Sequence, residues 1–270
     1  MLRIRALVIP VLAAALLTAC GGRTKTATII AGSTSVQPYA EILAEEYERR
    51  HPHSAIDIQG GGSAAGITAA ESGTADIGMS SRSLKEAERG MWSAEIAKDG
   101  LAVIVHPRNP VGALTLDQIR DIYTAKIGNW QALGGNPAAI HVIAREEGSG
   151  TRSAFEDLVM DKQTVSPRAI VQGSNGTVRL LVSEDPNAIG FISLGLVEQE
   201  GQKAVKALRL DGVEATRENV INGSYSLFRP FLFIAKGAPD GEAKRFIDFV
   251  LSDEGQRILT VEGLIEGQSE

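Results

Sequence analysis

Short apolar runs alternate with longer amphipathic segments along most of the chain. Runs of this kind are typical of buried strands, and apolar residues at helical spacing are typical of helices packed on a sheet. The predicted strands cover residues 28–31, 55–58, 76–79, 101–106, 140–143, 169–171, 188–193 and 231–235. The predicted helices cover residues 36–50, 63–72, 115–122, 151–160, 177–183 and 241–259. Such alternation predicts α/β layers with mixed, mostly parallel sheets, in which ligands bind at the carboxyl ends of the strands.

The N-terminus follows a different pattern from the rest of the chain. Arg3 and Arg5 precede an apolar stretch over residues 6–17, and small residues follow it. This is the pattern of a secretory signal, and the stretch is shorter than the roughly 20 residues that span a bilayer. Residues 17–20, Leu-Thr-Ala-Cys, resemble the lipobox of bacterial lipoproteins, in which the cysteine is acylated and the chain is cut just before it.

The lipobox resemblance predicts a signal peptide at residues 1–19 and a lipidated tether at 20–26, held to a membrane through Cys20. The alternative is a plain signal peptide with an incidental cysteine. In both cases the protein is expected outside the cytoplasm. Cys20 is the only cysteine in the chain, so no intramolecular disulfide is expected and stability must come from packing.

The charge balance argues against a nucleic-acid partner. The chain has 270 residues, 22% of them charged, and a formal net charge of -6 without a basic run. Nucleic-acid binders usually carry a basic face. An acidic protein can still bind an anion, provided that the site supplies positive potential locally.

Three predicted strand-to-helix turns share the residues needed for such a local site. They lie at 31–35, 59–63 and 145–151, and each combines glycine with Ser or Thr hydroxyls. The N-terminus of a helix offers unpaired N–H donors and a positive dipole end, which together favour anions. One such turn alone is more typical of an ordinary helix cap. Three of them favour an anion site with these candidate groups: Ser33, Thr34, Ser35, Ser63, Ser149, Gly150 and Thr151.

Arg145 is the one full cation that the sequence places in this site. It ends an apolar strand four residues before Ser149, and a guanidinium can hold an oxyanion through two parallel hydrogen bonds. Glu147 is expected to orient it. The alternative is a solvated surface ion pair.

Taken in order, several segments resemble the periplasmic phosphate-binding proteins of ABC phosphate uptake, the PstS type. The resemblance covers nearly all of the chain after the tether, and it is carried by residues 31–35, 60–66, 76–82, 122–123, 128–130, 134–135, 145–151, 173–176, 185–190 and 229–230. It implies a two-lobed, type II periplasmic-binding-protein-like fold with a two-strand hinge and a ligand cleft between the lobes. Residues 24–105 and 231–270 would form one lobe and 106–230 the other.

The resemblance also implies that the three turns bind phosphate, with one departure from the family pattern. Many members carry an Asp in the turn after the third strand, where it accepts the proton of hydrogen phosphate. Ser81 occupies this position here and is a further candidate ligand. Because a hydroxyl can donate as well as accept, Ser81 by itself is expected to reject sulfate less strongly than an Asp at this position would. Arg82, next to it, would pair with the ligand or with Asp76, or lie at the surface.

The expected function is capture of inorganic phosphate for the permease of an ABC importer, by a monomer without a cofactor, a metal or catalytic residues. A receptor for other oxyanions such as sulfate, arsenate or molybdate remains open, as does a phosphate-sensing lipoprotein. A phosphate-handling enzyme is a weaker alternative, because no nucleophile with a base and no metal-ligand cluster is apparent.

Overall fold

The computed structural model describes residues 27–197 and 204–267. The predicted signal peptide (1–19), the predicted tether (20–26) and Cys20 lie outside the described residues. The strands are β1 (Thr28–Gly32), β2 (Ile56–Gly60), β3 (Ile77–Ser80), β4 (Trp92–Val105), β5 (Ala113–Leu114), β6 (His141–Arg145), β7 (Ile170–Gln172), β8 (Ala188–Ser193), β9 (Lys206–Ala207), β10 (Arg209–Leu210), β11 (Phe228–Ala235) and β12 (Ile265–Glu266). The helices are α1 (Gln37–Arg50), α2 (Ser63–Ser72), α3 (Leu116–Tyr123), α4 (Gly150–Val159), α5 (Asn175–Glu184), α6 (Arg217–Ile221), α7 (Gly241–Leu251) and α8 (Asp253–Val261).

One curled sheet runs through the structure in the order β2-β1-β3-β11-β4-β8-β6-β7. Its two ends are parallel, β2-β1-β3 on one side and β8-β6-β7 on the other. Its centre is antiparallel, because β11 and β4 run against their neighbours. The predicted mixed α/β architecture is confirmed, and the parallel ends each bring strand-to-helix turns to one edge.

β4 is longer than the strand predicted over residues 101–106. It begins at Trp92, and its first half carries polar residues such as Glu95 and Asp99 that hide the strand pattern. That half pairs with β11, and its second half pairs with β8. β4 therefore belongs to both ends of the sheet, and β11, which begins at Phe228 rather than 231, lies beside it.

Two hydrophobic clusters hold the parallel ends in place. One packs α1, α7 and α8 against the sheet through buried residues such as Leu43, Phe233 and Phe246. The other surrounds the second half of β4 and includes Phe155 and Phe191, whose rings stack with centroids 4.1 Å apart. Rigid packing on both sides fixes the positions of the turns that follow the strands.

The local helix signals match the observed boundaries closely. Thr115, the first residue of the helix predicted over 115–122, is the N-cap of α3, and its hydroxyl accepts the Gln118 N–H. The helical region predicted over 241–259 is divided at Ser252, where extended backbone ends α7 and the same side chain caps α8. Within the described ranges, no helix has both the length and the apolar character that a membrane crossing requires.

Candidate functional site

Four helix N-termini meet where β1, β2, β6 and β7 end. The helices are α1, α2, α4 and α5, and direct hydrogen bonds join their first turns. The Ala64 N–H at the start of α2 donates to the Gly148 carbonyl, 3.1 Å away in the turn before α4. Their unpaired N–H groups and dipoles supply positive potential to one small region.

Three of the predicted serines form one buried cluster at this point. Ser33 Oγ donates to Ser81 Oγ at 2.9 Å, and the Ser81 N–H donates to Ser63 Oγ at 3.0 Å. All three side chains are almost completely buried. The first turn, the second turn and the end of β3 are therefore in direct contact, as their sequence positions at strand ends led us to expect.

Ser35 lies at the centre of a second cluster that joins opposite ends of the sheet. Its Oγ lies 2.8 Å from Thr151 Oγ1, and it accepts hydrogen bonds from Asn175 Nδ2 at 2.7 Å and Arg229 Nη2 at 3.1 Å. A hydroxyl has two acceptor sites and one proton. Because both acceptor sites are used, Ser35 donates its proton to Thr151, and the Thr151 proton is left for another acceptor.

Arg145 is buried at the end of β6, with 1% of its side chain exposed. Its Nε and Nη2 each lie 2.9 Å from a carboxylate oxygen of Glu146, and Nη2 also donates to Thr34 Oγ1 at 3.2 Å. Its Nη1 is buried and has no hydrogen-bond partner among the described residues. The expectation that Glu147 orients this guanidinium is wrong, because the turn places Glu146 beside it and leaves Glu147 exposed.

Ser149 and Gly150 begin α4 beside this guanidinium. Ser149 is the N-cap, and its Oγ accepts the Arg152 N–H at 3.2 Å. Gly150 packs so closely that a Cβ there would lie 2.1 Å from Ser63 Oγ and 2.6 Å from Ser81 Oγ. Only glycine allows this turn to approach the two hydroxyls, so packing requires Gly150 here.

Arg229 is a second buried cation that the sequence reasoning did not place in the site. It pairs with Asp99 in register across β11 and β4, and Nε and Nη2 lie 3.1 and 2.9 Å from Asp99 Oδ2. Both side chains are 1% exposed. The Nη1 of Arg229 is buried without a partner among the described residues. The available signal in the sequence was that Asp99 and Arg229, of opposite charge, each lie two residues before an apolar run, at 101–105 and 231–235.

Burial acts on both members of this pair. It raises the pKa of the Asp99 carboxyl, and Arg229 and a hydrogen bond from Ser193 oppose that effect. Burial also lowers the pKa of Arg229, and Asp99 opposes it in turn. Each charge therefore depends on contact with the other deep in the protein, where losing either partner is costly.

Asn175 is the other site residue that sequence reasoning missed. Ser174 caps α5, which begins two residues before the predicted helix, and Asn175 is 2% exposed and bonded to Ser35. Its Oδ1 is buried and has no partner in the described part of the chain. The run Gly-Ser-Asn-Gly-Thr after a short strand was the available signal, since it repeats the pattern of the other three turns.

Arg82 does not belong to this arrangement. It forms two hydrogen bonds to the Glu88 carboxylate, at 2.7 and 2.8 Å. Asp76 instead accepts the Ile29 N–H between β3 and β1. The suggested pairing of Arg82 with Asp76 is therefore wrong.

The arrangement is suited to a small tetrahedral anion. Two guanidinium groups, several hydroxyls and the first turns of four helices supply hydrogen-bond donors from both ends of the sheet. Arg145 Nη1, Arg229 Nη1 and Asn175 Oδ1 are buried and have no partner in the described part of the chain, although each belongs to a planar group that contacts the first turn. Unpaired buried polar atoms are costly, so their grouping points to a ligand that completes them.

Comparisons with known proteins agree with this chemistry. A family model described as a PBP superfamily domain matches residues 19–254. The phosphate-binding protein PstS of Bacillus subtilis (strain 168) is 31% identical over 241 residues, which cover 87% of this chain and 79% of that protein.

Solved structures match the fold over most of its length. A phosphate ABC transporter substrate-binding protein with bound phosphate, from Clostridium perfringens, has a TM-score of 0.85 and 46% identity, over 90% of this chain and 100% of that one. An ABC-type phosphate transport receptor from Vibrio cholerae has a TM-score of 0.72 and 39% identity, and the match covers 88% of this chain and 98% of that one. The predicted two-lobed, type II binding-protein fold is thus confirmed. The chain belongs to the PBP superfamily and, within it, to the family of PstS phosphate-binding proteins.

Proposed function

We propose that this protein captures inorganic phosphate outside the cytoplasm and delivers it to the permease of an ABC phosphate importer. The observation that carries the proposal is the convergence of two buried arginines, each with an unpaired nitrogen, on the hydroxyls of the first turn. Relatives named as phosphate-binding proteins, and the related structure with bound phosphate, support the same ligand.

Most of the proposed ligand groups come from the four turns. The predicted set is Ser33, Thr34, Ser35, Ser63, Ser81, Arg145, Ser149, Gly150 and Thr151. We add Asn175, at the start of α5, and Arg229, in β11, because each has a buried polar atom without a partner among the described residues. Glu146 and Asp99 balance the two guanidinium charges, so the charge of a divalent oxyanion would be offset by the four helix N-termini, each worth about half a positive charge. Binding would use prearranged donors and needs no catalytic group.

Capture would proceed by closure of two lobes, residues 24–105 with 231–270 and residues 106–230. On this division Ser35 and Ser63 would belong to the first lobe, and Arg145 and Thr151 to the second. All four side chains are buried. A ligand can reach groups buried at such an interface only when the lobes separate. β4 and β11 would be the hinge, because they run side by side at the centre of the sheet.

Lipid attachment at Cys20 would keep this monomeric receptor close to the permease. The proposal follows from residues 17–20 alone. A signal peptide without acylation would instead give a freely diffusing protein of unmodified mass.

Calorimetric titration of the ligand-free protein with phosphate, then with sulfate, tests the proposed function. Tight phosphate binding with weak sulfate binding is the expected result. Comparable binding of both ions would indicate a general oxyanion receptor, and binding of neither would overturn the anion site.

Replacing Gly150 by alanine is expected to weaken phosphate binding about 10-fold to 100-fold, because overpacking of this size costs about 1–3 kcal/mol. The new Cβ would collide with Ser63 and Ser81 only while the two lobes are closed. The unfolding midpoint without phosphate should therefore change little.

Gly148→Ala is the matched control for this change. Its Cβ would lie 3.7 Å from Ala64 Cβ, which is an ordinary contact. Equal phosphate affinities for the two variants would contradict the close approach of this turn to the serines.

A further inference from the structure

Selection of phosphate over sulfate depends on a proton. Near neutral pH, hydrogen phosphate carries a P–OH group, whereas sulfate offers only acceptor oxygens. Hydrogen-bond donors bind both ions alike, so a site made only of donors cannot distinguish them. An acceptor in the site bonds to the protonated ion and opposes the unprotonated one.

The acidic groups nearest the site are already engaged. Both Glu146 oxygens accept hydrogen bonds from Arg145. Asp99 Oδ1 accepts from Ser193, and its Oδ2 accepts twice from Arg229. Ser81 accepts from Ser33 and keeps its own proton to donate. None of these groups offers a free carboxylate acceptor to a ligand.

Asn175 Oδ1 is the unpaired acceptor among the buried side-chain atoms of the described site. The amide is held in place because its Nδ2 donates to Ser35 Oγ at 2.7 Å, and the side chain is buried at the first position of α5. Its Oδ1 belongs to the same planar amide as Nδ2, and the Ser35 hydroxyl that Nδ2 contacts is also bonded to Thr151. It has no partner within residues 27–197 and 204–267.

We propose that Asn175 Oδ1 accepts the proton of hydrogen phosphate and thereby selects protonated tetrahedral oxyanions over sulfate. This inference rests on the proposed function and names the residue that gives the site its selectivity. Arsenate also carries a proton near neutral pH, so Asn175 would not select against it. Sulfate places an acceptor oxygen against Oδ1 in a buried environment, where neither atom can recover a hydrogen bond from water.

The decisive probe is monofluorophosphate, which is a close match to hydrogen phosphate in charge and size but has no proton to donate. Calorimetric titrations with phosphate, monofluorophosphate and sulfate should be made on the unmodified protein and on Asn175→Ala. We expect the unmodified protein to prefer phosphate over monofluorophosphate by about 10-fold to 100-fold, the effect of one unpaired buried acceptor. Asn175→Ala should lose most of this preference.

The ratio of the affinities for phosphate and monofluorophosphate separates an effect on selectivity from an effect on structure. Loss of the hydrogen bond to Ser35 would weaken the binding of both ions to the same extent, and the ratio would not change. Asn136→Ala, which changes an exposed asparagine of the same proposed lobe, should keep the ratio of the unmodified protein. An unchanged ratio in Asn175→Ala would overturn the inference. Equal binding of phosphate and monofluorophosphate by the unmodified protein would do the same.

Asn175→Asp keeps the test valid if the alanine variant binds no ion. An aspartate is similar in shape and accepts hydrogen bonds only, so its preference for phosphate over monofluorophosphate should equal or exceed that of the unmodified protein. A preference as low as in Asn175→Ala would count against a proton acceptor here. Failure of the unmodified protein to bind all three ions would instead overturn the phosphate site itself.

Discussion

Replacing Arg145 by alanine is expected to lower phosphate affinity by about 30-fold to several thousand-fold. Truncating one partner of a buried, hydrogen-bonded charge pair costs about 2–5 kcal/mol, and about 1.4 kcal/mol corresponds to a factor of ten in affinity. Arg145 supplies an unpaired Nη1 and also neutralises Glu146. Its loss removes a cation and leaves a carboxylate near the anion, so attraction turns into repulsion.

Two further variants show whether charge or geometry is responsible. Arg145→Lys keeps the charge but not the planar fork, and is expected to bind with intermediate affinity because a lysine cannot hold both Glu146 and an oxyanion through parallel bonds. Arg168→Ala removes an exposed arginine of the same proposed lobe and should bind normally. Calorimetric titration measures all three, and normal affinity in Arg145→Ala would refute the proposed site.

The sequence predicted most strands, helices and turns because their signals are local. A short apolar run followed by Gly and hydroxyl residues indicates a strand that leads into a helix, and this pattern located Ser35, Ser63 and Thr151 without any knowledge of contacts. Helix caps such as Thr115 are equally local, since the bond spans three residues. Features that depend on neighbours a few positions away were therefore recoverable.

Features that depend on distant neighbours were not recoverable from one sequence. Arg229 and Asp99 are 130 residues apart, and only their registered pairing in β11 and β4 brings them together. The sequence around Asn175 is that of an ordinary helix cap, and only the fold brings this residue into contact with Ser35, 140 positions away. The choice between Glu146 and Glu147 depends on the direction of one side chain after β6, which a spacing argument cannot supply.

Three of the long-range contacts meet at Ser35. Its hydroxyl links the first turn to α4, α5 and β11, and therefore connects both ends of the sheet. Separation of the lobes would break the bonds to Thr151 and Asn175, whereas the bond to Arg229 joins elements of the first lobe and the hinge. A ligand that completes Arg145, Arg229 and Asn175 together would stabilise the closed arrangement over the open one.

Replacing Arg229 by leucine is expected to abolish phosphate binding and to lower the free energy of unfolding by about 3–5 kcal/mol, the cost of leaving a buried charge without its partner. Asp99 would remain buried at the centre of the sheet with no cation beside it. Denaturant unfolding measures the stability change, and calorimetric titration measures binding.

The stability change should depend on pH with a definite sign. Without Arg229, burial raises the pKa of Asp99 further, so the folded state holds a proton that the unfolded state releases above about pH 4. Stability then falls as the pH rises through this range, because the folded state binds more protons. The difference in unfolding free energy between the unmodified protein and Arg229→Leu should therefore be larger at pH 7.5 than at pH 4.5.

The double variant Asp99→Leu with Arg229→Leu separates the two roles of this arginine. Replacing a buried ion pair by apolar residues of similar volume is often neutral or stabilising, so the double variant should regain most of the stability and lose the added pH dependence. It should still fail to bind phosphate, because the guanidinium is missing. If the double variant recovers both stability and phosphate binding, Arg229 only supports the hinge. If it recovers stability but does not bind phosphate, the unpaired nitrogen of Arg229 contacts the ligand.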